Sequence, residues 1–215
     1  MTSRHAGKRR RPVVGLLGAV ASGKSTVARL MAAEGADVID ADRLGHAVLE
    51  RPEVKQHIRS EFGPGVFEPD GRVSRQRLGE TVFGSPDRRE KLNRMVHPII
   101  LELIEGQLRE LHQRGGRRVV VLDAALLLET GLHRRHCDLL VFVEAPLAVR
   151  EARVQHSHGW SAERLAQRDA AQVASDVKKS HADFVIDNSG TLQELEGRVR
   201  AVMEQITKEH SLSSH

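Results

Sequence analysis

Gly18, Gly23, Lys24 and Ser25 fall in the pattern G-x-x-x-x-G-K-S, spelled Gly18-Ala19-Val20-Ala21-Ser22-Gly23-Lys24-Ser25 and followed by Thr26. These residue types suit a polyphosphate. Gly18 and Gly23 allow backbone conformations that a side chain blocks, so the loop amides, through Ala21, Ser22 and Gly23, can turn inward around an anion. A helix starting at Lys24 presents the positive end of its dipole to the same phosphates. Lys24 offers a mobile cation to the β- and γ-phosphates and counters charge as phosphate transfers. The Ser25 hydroxyl is placed for Mg2+, and Thr26 is a further donor to the α-phosphate. The expected ligands are therefore ATP and Mg2+.

Three carboxylates stand where such a site needs acid–base or metal chemistry. Asp40 and Asp42 lie at the C-terminal edge of an apolar run, two apart, so both can face one side. Either can accept the proton of an attacking hydroxyl or orient Mg2+ through water, and Asp42 can equally cap the next helix. Asp123 ends Val119-Val-Val-Leu122 as a metal-orienting strand-end carboxylate would, or as a solvent-facing one. Arg150, Arg153, Arg164 and Arg168 together read as a lid that closes over a triphosphate, although each alone reads as part of a solvated helix face. His133, His136 and Cys137 have helical spacing but only one thiol, so they read as surface helix rather than metal site. Guanine-specific hydrolases usually carry N-K-x-D, which does not occur here. The D-x-x-G at Asp42–Gly45 and at Asp187–Gly190 is fixed at only two positions.

These groups need a scaffold, and apolar runs supply it. Val13-Val-Gly-Leu-Leu17 reads as a buried strand, Lys24 to Glu34 as a helix, and Asp37 to Asp40 as a second strand, forming one β-α-β unit. Arg118–Asp123, Leu139–Val143 and Phe184–Asp187 repeat the strand pattern. Five buried strands with helices between them predict a doubly wound α/β domain, the P-loop nucleoside-triphosphate hydrolase/kinase fold, with a five-stranded parallel sheet and helices on both faces. Residues 13–42 and 115–210 are the expected core. Residues 43–114, with turn signals at Gly63-Pro64-Gly65 and Pro69-Asp70-Gly71, read as a helical insertion. Residues 150–172 are the expected lid, and 211–215 a frayed tail.

Composition sets the outer bounds. With 40% hydrophobic residues, 3% aromatics and no Tyr, the core must be aliphatic. The net charge of +4 suits an anionic partner. Arg4, Lys8, Arg9, Arg10 and Arg11 crowd the first residues, but no aromatics interleave them, so residues 1–12 read as a basic tail rather than a nucleic-acid arm. The single cysteine, Cys137, excludes an intrachain disulfide, and no apolar run is long enough to span a bilayer; the expected setting is the cytoplasm.

With those residues in hand, the chain resembles the dephospho-coenzyme A kinase family along nearly its whole length. The segments run in the family's order. They are the loop from Gly15 to Ala28, Val38-Ile-Asp-Ala-Asp42 with His46, Phe62-Gly63, Asp70-Gly71, Arg75 with Leu78, and Val82-Phe83. Then come His97-Pro98, Leu126-Leu-Leu-Glu129, Arg168 with Gln172, and Ala182-Asp-Phe-Val-Ile-Asp-Asn-Ser-Gly190. The resemblance implies ATP-dependent phosphorylation of the ribose 3′-hydroxyl of dephospho-coenzyme A, with Asp42 as the base. It implies that the insertion binds the acceptor, that Arg75, His97 and Glu129 join Asp42 there, and that Arg153 and Asn188 serve the nucleotide. The partner is then a small molecule rather than nucleic acid or membrane, and the chain a monomer or small homo-oligomer. Two departures stand out: Ala21 replaces a usual loop glycine and narrows the room around the phosphates, and Ser157 replaces a usual lid arginine. The alternatives are another small-molecule P-loop kinase, such as a nucleoside monophosphate kinase, and a nucleotide-binding module without catalysis.

Overall fold

The computed structural model describes residues 11–116 and 118–212. Five strands among them form one parallel sheet in the order β2-β3-β1-β4-β5. They are β1 (Val13–Gly18), β2 (Asp37–Asp40), β3 (Val120–Asp123), β4 (Leu139–Glu144) and β5 (Phe184–Asp187). All of β1 and β3 is buried, as expected of parallel strands covered on both faces, and this is why they read as unbroken apolar runs. The chain leaves β1 for one side of the sheet, returns through β3 and continues to the other. The crevice at the carboxyl end of β1 is therefore a topological switch point, where open α/β sheets bind ligands.

Helices cover both faces. On one, α1 (Lys24–Ala33) and α10 (Leu192–Leu212) lay Val27, Met31, Leu195, Val199 and Ile206 over Leu16, Val121, Val143 and Ile186. On the other, Gly15 leaves room that Leu127, Cys137 and Leu140 fill; a Cβ at Gly15 would lie 2.5 Å from Leu127 Cδ2. Burial pushes the Cys137 thiol up to about 12, with Asp138 adding to the effect, so it is packing rather than chemistry. The short α6 (Leu132–His136) and α9 (Ser175–Ser180) complete the connections, and α7 (Leu147–His158) and α8 (Ala162–Ala170) flank a left-handed Gly159.

Arg11 does not behave as tail. Its side chain is buried, donates to the carbonyls of Arg118 and Val119, and pairs with Asp37. It ties the entry of β1 to its neighbours. Arg4, Lys8, Arg9 and Arg10 lie outside the described residues, as do 213–215; α10 runs on to Leu212.

Residues Ala41–Arg109 form a second compact unit. It holds α2 (Ala41–Leu49), α3 (Pro52–Phe62), α4 (Arg75–Phe83) and most of α5 (Pro86–Arg114), with a single strand-like bridge between Phe67 and Val73. Its own core gathers Val48, Val54, Ile58, Val66, Phe67, Val73, Leu78 and Val96. Among the described residues, no helix is long and apolar enough to cross a membrane.

Candidate functional site

The loop between β1 and α1 is shaped by contacts that admit no side chain. A Cβ on Gly18 would lie 2.5 Å from Ser22 Oγ and 2.8 Å from the Val143 carbonyl oxygen. Gly23 has φ 96°, and its Cβ would lie 2.1 Å from Asn188 Nδ2. Ala21, with a φ of 59°, is the one non-glycine residue with positive φ among the described residues. That left-handed backbone costs an alanine about 1–2 kcal/mol, so its surroundings must hold it there.

Cations provide the hold. Lys24 Nζ donates to the carbonyls of Gly18 and Ala19 at 3.3 and 3.2 Å. Arg150 Nη1 donates to Val20 O at 3.2 Å, and Arg153 Nη1 to Ala21 O and Ser22 O at 3.4 and 3.1 Å. Every carbonyl from Gly18 to Ser22 thus ends on one of three basic side chains. Arg153 Nη2 also donates to the Asn188 carbonyl and Oδ1, while Asn188 Nδ2 donates to Ser22 O at 2.7 Å. Burial lowers the Arg153 pKa. α1 is capped by Gly23, whose carbonyl accepts the Thr26 and Val27 amides at 3.0 Å, so the positive end of its dipole faces the loop, and the buried Ser22 Oγ has no hydrogen-bond partner. Carbonyls taken by cations, a helix N-terminus and an orphaned buried hydroxyl form a donor set that fits the phosphates of a nucleotide.

The strand ends beside this loop are acidic. Asp40 and Asp123 are register partners across β2 and β3, and Asp123, buried to 7% exposure, also pairs in register with Leu16 of β1. On the far side Glu144 partners Asp187, whose carboxyl is held below the usual range chiefly by Ser189, with Arg198 adding to it. Ser25 is exposed and Thr26 half-buried in the first turn of α1.

The four arginines expected of a lid separate into two pairs. Arg150 and Arg153, on α7, hold the loop. Arg164 and Arg168, on α8, stack on Trp160 at 4.9 and 5.2 Å from the ring centroid. Desolvation, then the charge of Arg164, lowers the Arg168 pKa. Ser157, where an arginine was expected, donates its hydroxyl to the Arg153 carbonyl one turn back.

The remaining expected residues are placed as follows. Glu129 Oε1 accepts the Val173 amide at 2.8 Å and lies 3.5 Å from Lys178 Nζ, whose side chain is only 3% exposed. Asp42, Arg75 and His97 belong to the second unit. There Asp42 and His46 stand one turn apart on α2, and the Arg75 guanidinium lies 3.0 Å from both ring nitrogens of His46. Burial holds the half-buried His97 below the ordinary imidazole range. Sequence reasoning did not single out Asp169. Its Oδ1 accepts the Val20 amide at 3.1 Å from 149 positions away, a pairing with no local signature.

Comparison with known proteins agrees with this architecture. A family model described as Dephospho-CoA kinase matches residues 12–194. The chain is 42% identical to a dephospho-CoA kinase of Symbiobacterium thermophilum, over 88% of this chain and 79% of that protein. It is 38% identical to one of Thermobifida fusca, over 91% and 96% respectively. Among solved structures, TT1252 from Thermus thermophilus superposes with a TM-score of 0.76 at 32% identity, covering 92% of this chain and 98% of that one. With a matched region that takes in the phosphate loop, the strand-end carboxylates and the second unit, the chain belongs to the dephospho-CoA kinase family.

Proposed function

We propose that the protein transfers the γ-phosphate of ATP, taken as its Mg2+ complex, to the 3′-hydroxyl of dephospho-coenzyme A. The observation that carries the reading is the family match over residues 12–194, which includes the nucleotide loop and the whole second unit. The loop's donor set supports the same conclusion from geometry, because it suits a polyphosphate.

In this reading Lys24 leaves the carbonyls of Gly18 and Ala19 for the β- and γ-phosphates, while loop amides through Ala21, Ser22 and Gly23 cradle them and Thr26 donates to the α-phosphate. Ser25 and Asp123 would hold Mg2+, which would supply charge neutralisation on the transferring group. Arg153 and Asn188, which both donate to Ser22 O, serve the nucleotide. Asp42 takes the hydroxyl proton as the new P–O bond forms, and Arg75 and His97 grip the acceptor. Glu129 supports the segment after α8 through Val173 and Lys178.

The test is transfer from γ-labelled ATP across a small acceptor panel. Label is expected in coenzyme A when dephospho-coenzyme A is present, with little ATP consumed without an acceptor. Faster labelling of a nucleoside monophosphate, or hydrolysis indifferent to acceptor, contradicts the proposal.

A further inference from the structure

Both polar groups of one loop peptide unit-pair, the Val20 amide and the Val20 carbonyl, end on two side chains that also end on each other. Asp169, in the last turn of α8, accepts the Val20 amide through Oδ1 at 3.1 Å. Its Oδ2 accepts from Arg150 Nη1 at 2.5 Å, and the same nitrogen donates to Val20 O at 3.2 Å. The pair is largely enclosed, with side-chain exposures of 11% for Arg150 and 27% for Asp169. Arg150 Nε is buried without a partner, so the guanidinium does not make all the bonds it can.

A half-buried ion pair is weak evidence for stability, because desolvation offsets much of its attraction. Its geometry here points to something else. Val20 precedes Ala21, whose left-handed backbone is strained and persists only where its surroundings over-determine it. The Arg150–Asp169 clip grips the chain before Ala21, and Arg153 grips the Ala21 and Ser22 carbonyls after it. A carboxylate acceptor makes the first grip stronger than a neutral one would.

We infer that Asp169, oriented by Arg150, is a positioning residue for the phosphate loop: it fixes Val20 so that Ala21 keeps its left-handed turn and the following amides stay aligned for phosphate. This role rests on the phosphate-loop reading given above. It also gives the α7–α8 segment a function before any nucleotide arrives, as a brace on the loop.

The experiment is a coupling cycle between positions 169 and 21, which are linked through Val20. Asp169→Ala is expected to weaken ATP binding by titration calorimetry, and to raise the KM for ATP, by about tenfold, with kcat within about threefold. In an Ala21→Gly background the left-handed turn needs no enforcement, and the same substitution is expected to cost less than about threefold. Hydrogen exchange at the Val20 amide of the ligand-free protein is expected to accelerate in Asp169→Ala. Asp169→Asn, which keeps one acceptor oxygen, is expected to lie between Asp169→Ala and wild type, and it takes over the cycle if the alanine variant does not fold. Equal losses in both backgrounds, or an unchanged ATP affinity in folded Asp169→Ala, overturn the inference. Lys24→Ala is measured alongside. If it is inactive while Asp169→Ala matches wild type, the brace alone fails; if it turns over normally, the phosphate-loop reading fails and takes the brace with it.

Discussion

Substituting alanine at Gly23 tests how the loop is held, because the structure supplies its own control. Gly23 and Gly35 have nearly the same backbone, φ 96° and 95°, but a Cβ at Gly35 meets nothing within 4 Å while one at Gly23 meets Asn188 Nδ2 at 2.1 Å. Both variants bear the left-handed cost of about 1–2 kcal/mol. Gly23→Ala must in addition swing the buried Asn188 amide away from Ser22 O, where it donates at 2.7 Å, and from Arg153. Losing a buried hydrogen bond with a partner left behind costs about 1–3 kcal/mol. The expected totals are about 1–2 kcal/mol for Gly35→Ala and about 2–5 kcal/mol for Gly23→Ala. At this chain length the latter corresponds to a fall in Tm of about 4–20 °C. Denaturant unfolding of both variants measures the difference, and nucleotide titration should show weakened ATP binding for Gly23→Ala alone. Equal destabilisation, or an intact ATP affinity in Gly23→Ala, would refute the claim that Asn188 and Arg153 shape the loop.

Other outcomes follow from the same contacts. If Lys24 counters transition-state charge, Lys24→Ala should leave a folded protein and reduce transfer by about 10²-fold or more; near-normal turnover would contradict that role. Asp42→Asn should lower kcat by about 10²- to 10⁴-fold with ATP affinity little changed, and if it is active while Asp123→Asn is dead, the base has been misassigned. In hydrogen exchange, amides around Gly159 and Trp160 should gain protection when nucleotide and acceptor are added. Those of Arg150 to Val154 should already be protected, because the loop holds Arg150 and Arg153; uniform behaviour across 150–172 would argue against this division. Burial depresses the folded pKa of His97, so below the unfolded value of about 6.5 the unfolded state binds the extra proton and stability falls as pH drops through that value. His97→Gln should flatten this part of the stability profile, and a proton titration of His97 at or above the unfolded value would contradict it.

What was legible in the sequence is what depends on neighbours in the chain. The strands were visible because parallel strands buried on both faces must be apolar throughout, and the loop because glycine, lysine and serine at fixed spacing have few other uses. What escaped depends on distant partners. Arg11 looked like tail because its run is basic, yet the carbonyls of Arg118 and Val119 and the carboxylate of Asp37 bury it. Arg150 read as one lid arginine among four, and its bond to Val20 is set by a crossing of chain 130 positions apart. The left-handed backbone of Ala21 has no signal in the residue type itself, since alanine rarely adopts it. The bonds of Glu129 to Val173 and Lys178 likewise appear only once the segment after α8 folds back.

In the proposed reaction phosphate leaves ATP for one particular hydroxyl. The most direct measurement is product analysis with dephospho-coenzyme A and with its 3′-deoxy analogue, in parallel, at saturating MgATP. One coenzyme A is expected per ADP with the natural acceptor, and neither phosphorylated product nor matching ADP release with the analogue. Phosphorylation of the 3′-deoxy compound, or ADP release at the same rate with either, would contradict it.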